Sequence, residues 1–133
     1  NSNPKAIPGA FVQYTITIAN AATAGASGDL TTLADILVLT DLDPDLNTAL
    51  GVAESAAGDS VRINTTGTLR PAAGTTYCTQ AADADGCDHA AGIGNTLTVD
   101  FTTVTGMAVE VGYTAGELKA GESVVIVFNA IVQ

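Results

Sequence analysis

The stretch FVQYTITIA, residues 11–19, has the pattern on which the fold of this chain depends. Apolar and polar side chains alternate along it, with Val12, Tyr14, Ile16 and Ile18 on one side and Gln13, Thr15 and Thr17 on the other. A period of two residues is that of a strand with one buried and one wet face. The stretch therefore predicts a half-buried β-strand.

Further strand signals follow along the chain, each bounded by Gly, Pro, Asn or Asp. They lie at residues 30–41, 60–65, 95–104, 107–113 and 123–133. Only residues 45–58 could form a turn or two of helix, and their glycines keep it short. About six or seven strands with long loops predict an all-β chain, and we expect one immunoglobulin-like β-sandwich domain over residues 11–133.

The composition limits the partners that the chain can have. A length of 133 residues corresponds to one domain with a single core. Four basic residues against fourteen acidic ones give a formal charge of −10, which repels nucleic acid and anionic membrane surfaces. No apolar run reaches the roughly 18 residues of a membrane-spanning helix, so we expect no membrane insertion. The abundance of Thr, Ala and Gly is common in secreted proteins, and no signal segment precedes Asn1, so we expect a secreted, already processed chain.

Two cysteines, Cys78 and Cys87, lie within the polar loop YCTQAADADGCDH at residues 77–89. Their spacing excludes a Cys-x-x-Cys redox pair, and the single His89 cannot complete a thiolate metal site. We expect a disulfide, which would contribute roughly 2–3 kcal/mol and indicate an extracellular or cell-surface location. The alternative is a pair of free thiols in a reducing compartment.

The stretch DLDPDLN, residues 41–47, carries oxygen-bearing side chains at alternate positions, namely Asp41, Asp43, Asp45 and Asn47. Such oxygens are the ligands of a hard cation such as Ca²⁺. The stretch departs from an EF-hand loop, because Leu46 stands where that loop has its invariant glycine. A calcium site and a solvated acidic turn are both open, and no other cofactor is expected.

Nothing in the sequence indicates catalysis. No serine lies in a Gly-x-Ser-x-Gly elbow, and His89 is the single histidine. Without a visible set of acid, base and nucleophile, the chain is not expected to be an enzyme.

Two of the predicted strands, at residues 30–41 and 123–133, are apolar on both faces. A half-buried strand has a solvent-exposed outer face, and in these two strands that face carries Leu37, Leu39, Val125 and Val127. A loop folded over the outer face would cover these side chains, and so would a second protein molecule. We expect the four residues to help bury a contact between subunits.

Residues 1–10 look extended but are too poor in apolar side chains to form a core strand. Pro4 and Pro8 are four positions apart, so both missing N–H groups fall on the same side of an extended segment. The other side could pair with a neighbouring sheet, and we therefore expect Pro4, Lys5, Ile7 and Pro8 to contact another subunit. One alternative is an N-terminal segment that lies against its own sheet or is frayed. Another is that the C-terminal strand at residues 123–133 is the donor, since it is richer in apolar side chains, although we expect its own sandwich to need it.

Three motifs resemble a known family. The segments NPKAIPGAFVQYTITIANA (3–21), VLTD (38–41) and AGESVVIVFNAIV (120–132) are similar to the "conserved repeat" domain of secreted bacterial surface proteins. The resemblance implies an extracellular immunoglobulin-like sandwich that serves as a structural or adhesive building block, without enzymatic activity or cofactor. Residues 51–95 depart from the family pattern, so the acidic and cysteine loops take no role from it.

Members of that family usually carry a further strand ahead of the Asn-Pro segment, where this sequence starts. We therefore expect a sandwich that lacks its first strand and is completed by a neighbouring subunit. This predicts a structural subunit that forms an extracellular filament with copies of itself by β-strand addition. The alternative is a monomeric adhesion or stalk module whose strands are all paired internally, with calcium as an optional stabiliser.

Overall fold

The computed structural model describes residues 7, 11–20, 36–39, 46–47, 61–79, 85–88 and 97–132, with residues 11, 36–39, 46–47, 88 and 130–132 described by their backbone alone. Within these ranges the chain forms strands and no helix, and the strands pair antiparallel. The strands are β1 (Phe11–Ala19), β2 (Ile36–Leu39), β3 (Leu46–Asn47), β4 (Val61–Asn64), β5 (Thr75–Cys78), β6 (Cys87–Asp88), β7 (Leu97–Asp100) and β8 (Ser123–Val132). The all-β prediction is confirmed for this part of the chain.

The larger sheet is organised around β8. Its strand order is β1-β8-β4-β5, and β3 pairs with the end of β8. β1 pairs with β8 along its whole length, from Phe11 opposite Ile131 to Ala19 opposite Ser123. The strand richest in apolar and β-branched residues therefore has neighbours on both edges, where burial favours such side chains.

The smaller sheet has the order β2-β7-β6, and it shares a core with the larger one. The members of this core are less than 2% exposed: Val61, Ile63, Cys78, Cys87, Leu97, Val99, Phe101, Val104, Met107, Val124, Ile126 and Phe128. They come from β4, β5, β6, β7, β8 and the segment that follows β7. Burial of apolar area against both sheets is thus what holds these strands together.

The alternation predicted for β1 is confirmed from Tyr14 onward, whereas Val12, predicted on the buried side, is 37% exposed. Tyr14, Ile16 and Ile18 pack against the core, whereas Thr15 and Thr17 are exposed. Their contact with the core is partial, however, because all three apolar side chains remain only half-buried. β1 therefore covers the core less completely than its neighbour β8 does.

β7 ends earlier than the strand predicted at residues 95–104. It ends at Asp100, whose carboxylate accepts hydrogen bonds from the backbone N–H and the hydroxyl of Thr102. The Asp100 carbonyl also accepts from the N–H groups of Thr103 and Val104, which closes a turn. An aspartate that binds its own following backbone competes with the sheet, and this ends the strand.

The strand predicted at residues 107–113 is wrong. Glu110 and Tyr113 exchange backbone hydrogen bonds of 3.3 and 2.9 Å, so the chain reverses within four residues. Gly112 lies inside this turn with φ +82°, a conformation that glycine adopts without steric cost. Val109 and Val111 are therefore exposed, at 74% and 93%, instead of covering a sheet.

Candidate functional site

The predicted disulfide between Cys78 and Cys87 is confirmed, but its surroundings differ from those expected. Cys78 ends β5 in the larger sheet and Cys87 begins β6 in the smaller sheet, and neither sulfur lies in a polar loop. Both residues are buried in the core, with a Cα–Cα distance of 5.6 Å. The bond therefore links the two sheets directly.

One group of possible metal ligands occurs among the described residues, namely Cys78, Asp85 and Cys87. These ligand atoms lie close together because the disulfide joins the two cysteines. The two sulfurs are joined to each other and offer no thiolate. Oδ2 of Asp85 accepts from the N–H of Thr79 at 2.6 Å, and Oδ1 accepts from the N–H of Cys87 at 3.0 Å. Asp85 thus shapes the chain between β5 and β6.

The predicted calcium ligands fall mostly outside the described residues, which exclude Asp41, Asp43 and Asp45. Asn47 belongs to β3, where its backbone pairs with Ile131 of β8. The calcium site therefore stays a prediction.

The predicted contact residues on the strands lie in both sheets. In β2, Leu37 is in register with Val99 and Leu39 with Leu97, and the side chains of Leu37 and Leu39 lie outside the described set. In β8, Val125 is half-buried and Val127 is only 3% exposed.

Val127 is buried within the single subunit. Its neighbours across the sheet are Thr15 on β1 and Arg62 on β4, so it sits in the middle of the larger sheet. Val127 therefore contributes to the stability of the subunit.

Residues 1–10 are described at one position, Ile7, and the other predicted contact residues Pro4, Lys5 and Pro8 lie outside the described set. The Ile7 side chain is 70% exposed. An isoleucine contributes about 1.5–3 kcal/mol when it is fully buried, and Ile7 obtains little of this from its own fold.

In the part of the chain that the structure describes, β1 is the outermost strand of the larger sheet. Among the described strands it pairs with β8 alone. Its core-facing side chains are only half-buried, although their cross-strand partners on β8, namely Phe128, Ile126 and Val124, are 0% exposed. The aromatic ring of Tyr14 stacks on that of Phe128 with centroids 5.1 Å apart. A row of partly uncovered apolar side chains therefore follows β1.

A polar cluster lies where the segment after β7 meets the loop between β4 and β5. It is formed by the buried Arg70 and Glu122 and the half-buried Tyr113 and Lys119. Arg70 is 3% exposed and donates to the carbonyl oxygens of Ala108, Thr114 and Glu117. The Arg70 guanidinium carbon lies 4.5 Å from the centre of the Tyr113 ring, and Lys119 Nζ lies 3.8 Å from it. These cation–π contacts hold the ring in place.

Glu122 is the anion of this cluster and is 2% exposed. Its carboxylate accepts from the Tyr113 hydroxyl at 2.6 Å and from the backbone N–H groups of Leu69 and Lys119. Burial by itself raises the pKa of Glu122, but these hydrogen bonds and the charge of Arg70 outweigh it and lower that pKa. The hydrogen bond to Glu122, together with burial, raises the pKa of Tyr113 to about 12.

Sequence patterns did not reveal this cluster. Gly121-Glu122-Ser123 lies in the third segment that resembles the bacterial repeat domain, and such a sequence indicates only a turn before the last strand. The one available signal was the scarcity of basic residues, four in the chain against fourteen acidic ones. An arginine in so acidic a chain is a candidate for a specific contact. Arg70 contacts three backbone carbonyls and the Tyr113 ring. Its role is therefore structural, because it holds the loop between β4 and β5 to the segment after β7.

Within the described ranges, no helix has the length and apolar character needed to cross a membrane. No protein-family model matches the chain, and no match was found among curated proteins or among solved structures. The likeness to the bacterial repeat domain therefore rests on the three motifs alone and stays a prediction.

Proposed function

We propose that this chain is a secreted structural subunit with an immunoglobulin-like β-sandwich, and that it assembles with copies of itself into an extracellular filament by β-strand addition. The donated strand lies within residues 1–10. The role is architectural, and no reaction is catalysed. The observation that carries the proposal is the 70% exposure of Ile7.

An exposed isoleucine so close to a half-buried strand favours a contact with another molecule. Ile7 lies four positions ahead of β1, in a segment whose other apolar residues are small or are prolines. Burial of Ile7 in a neighbouring subunit would contribute about 1.5–3 kcal/mol per contact. Backbone hydrogen bonds along the donated strand would add to this, as in other cases of strand addition.

The disulfide supports an extracellular location. Structural disulfides persist in oxidising environments and are rare where thiols are kept reduced. The Cys78–Cys87 bond is buried in the core, and no free cysteine occurs in the chain.

A monomeric adhesion or stalk module is the rival function. The 3% exposure of Val127 within the single subunit favours it, because one of the residues expected at a subunit contact is already buried. The two functions differ in whether residues 1–10 are needed for association.

The test compares three proteins by electron microscopy and analytical ultracentrifugation. These are the full chain, a variant without residues 1–9, and a variant in which residues 1–9 are replaced by a Gly/Ser segment of equal length. We expect filaments from the full chain and folded monomers from both variants. Filaments of the same diameter and stability from the truncated protein would overturn the N-terminal donor, and a full chain that stays monomeric would favour the stalk module.

A further inference from the structure

We infer that Asn64 is an N-glycosylation site, which carries an oligosaccharide on the outer face of the larger sheet. Asn64-Thr65-Thr66 matches the acceptor pattern Asn-x-Ser/Thr, and no other asparagine in the sequence does. The pattern is short and also occurs by chance, so what matters is the structural setting of these three residues. The inference rests on the secreted location in the proposed function, because the pattern is an acceptor in secreted proteins.

The alternation of β4 turns Asn64 away from the core. Val61 and Ile63 are fully buried in the core, whereas Arg62 and Asn64 are half-buried. Successive side chains of a strand point to opposite faces, so Asn64 lies on the outer face of the larger sheet. The side chain that would carry the sugar is therefore partly exposed to solvent.

The acceptor pattern leads from the end of a strand into an exposed turn. β4 ends at Asn64, and the carbonyl of Thr65 accepts from the N–H of Thr68 at 2.9 Å. This bond closes a tight turn through Thr66 and Gly67, and both of these residues are exposed. A transferase can therefore approach the pattern from the side of the turn.

The three side chains of the pattern are divided between the interior and the surface. Thr65 is 1% exposed, and its hydroxyl donates to the carbonyl of Gly74 and accepts from the N–H of Gly74. Asn64 Oδ1 accepts from the N–H of Thr66 at 2.9 Å, as in an Asx-turn. Among the hydrogen bonds of the described residues, none uses Asn64 Nδ2 or the hydroxyl of Thr66. The middle residue thus anchors the turn, while the amide nitrogen and the hydroxyl that the pattern requires remain available.

The modification is a glycosyl transfer from an oligosaccharide linked to a polyprenyl diphosphate. Asn64 Nδ2 attacks the anomeric carbon of the oligosaccharide, and the new C–N bond replaces the C–O bond to the diphosphate. Nδ2 gives up one proton, and the polyprenyl diphosphate leaves with the bonding electron pair. No oxidant or reductant takes part.

A glycan at this place would determine which face of the subunit meets solvent in the proposed filament. Asn64 is in register with Val125 on β8 and with Thr75 on β5. Neighbouring strands lie about 4.8 Å apart, so a bulky glycan on Asn64 would extend over the half-buried Val125. The surface around Val125 would then face solvent and would not contact another subunit.

Mass spectrometry of the protein purified from the cells that produce it naturally tests the site. Peptides that contain Asn64 should be heavier by an oligosaccharide, and fragmentation should place the added mass on Asn64. In the same cells, Asn64→Gln and Thr66→Ala should lose the added mass completely. Thr66→Ser is the matched control and should keep the added mass, because serine retains the hydroxyl. An unmodified Asn64, or added mass on a threonine, overturns the inference.

The assembly of the same samples separates this inference from the proposed function. Thr66→Ala subunits should lack the glycan and still form filaments, because the proposed donor strand lies within residues 1–10. Filaments built from subunits with an unmodified Asn64 overturn the glycan and leave the proposed function standing. Glycosylated monomers that never assemble overturn the filament and leave the glycosylation site standing.

Discussion

The hydroxyl of Tyr113 donates a 2.6 Å hydrogen bond to the carboxylate of Glu122, which is buried immediately before β8 begins. The same carboxylate accepts from the N–H groups of Leu69 and Lys119. One buried anion thus ties together the loop between β4 and β5, the turn around Tyr113 and the start of the central strand. The segment between β7 and β8 owes its position to this cluster as well as to Val104 and Met107 in the core.

Removal of the Tyr113 hydroxyl should destabilise the fold. Tyr113→Phe keeps the ring beside Arg70 and Lys119 but takes one hydrogen bond from a buried carboxylate. Because hydrogen bonds to charged groups contribute about 1.5–3 kcal/mol, we expect the free energy of unfolding to fall by about that amount. Chemical denaturation measures it. Tyr77→Phe, at a tyrosine that is 40% exposed, is the matched control, and an equal loss there would contradict the role of Glu122.

Glu122 should make the fold sensitive to acid. Its pKa in the folded protein is lower than the ordinary value of 4.5, so the unfolded chain takes up a proton first as the pH falls. The stability that Glu122 contributes is therefore complete above pH 4.5 and is lost as the pH drops through the lower, folded pKa. Glu122→Gln should be less stable at neutral pH and should lose less stability across this window. A variant whose pH profile parallels that of the parent would contradict the assignment.

The bond between Cys78 and Cys87 should stabilise the subunit substantially. Intact mass should be lower by two hydrogen atoms than after reduction, with no alkylation before a reductant is added. Replacement of both cysteines by serine removes a cross-link over a short loop and should cost about 2–3 kcal/mol in unfolding free energy. Cysteines that alkylate fully in the native protein would rule out the bond.

Gly86 should not tolerate a side chain. It has φ +95°, and a Cβ atom there would lie 2.7 Å from Thr103 Oγ1 and 2.9 Å from Val104 N. Gly86→Ala therefore combines backbone strain with a steric clash, and we expect a loss of about 1–3 kcal/mol. Gly74→Ala is the control, because the nearest atom to its Cβ would be Ala72 O at 3.9 Å. Thermal melts of the two variants should differ clearly, and equal melting temperatures would refute the argument.

The acidic stretch at residues 41–47 gives a prediction about calcium. If Asp41, Asp43 and Asp45 bind Ca²⁺ in the folded state, a chelator should lower the melting temperature, because ligand that binds only the folded state stabilises it by mass action. Asp43→Ala should then melt at the same temperature with and without chelator. A parent protein whose melt is unchanged by chelator has a solvated turn at this place.

Short-range patterns predicted the elements whose pairing follows from local alternation. β1 matches residues 11–19, β8 lies within residues 123–133, and β4 lies within residues 60–65, as expected. The predictions failed where a turn interrupted an apolar stretch, at Asp100 and between Glu110 and Tyr113. In both places hydrogen bonds between near neighbours replaced sheet pairing, and residue periodicity does not register such competition.

The sequence by itself determined that the described chain is built from strands and, apart from Val12, which residues of β1 alternate between core and solvent. It also favoured a bond between the two cysteines over a pair of free thiols. These properties depend on the two-residue period of an extended backbone and on cysteine chemistry, both of which are local or compositional. Only the tertiary structure decided that β8 lies between β1 and β4, that the disulfide joins two sheets, and that Arg70 and Glu122 meet around Tyr113. Each of these depends on contacts between distant segments, such as the hydrogen bond from Gln13 to Asn129 across a separation of 116 residues. Such contacts are selected by the burial of the whole core, and no short stretch of sequence carries that information.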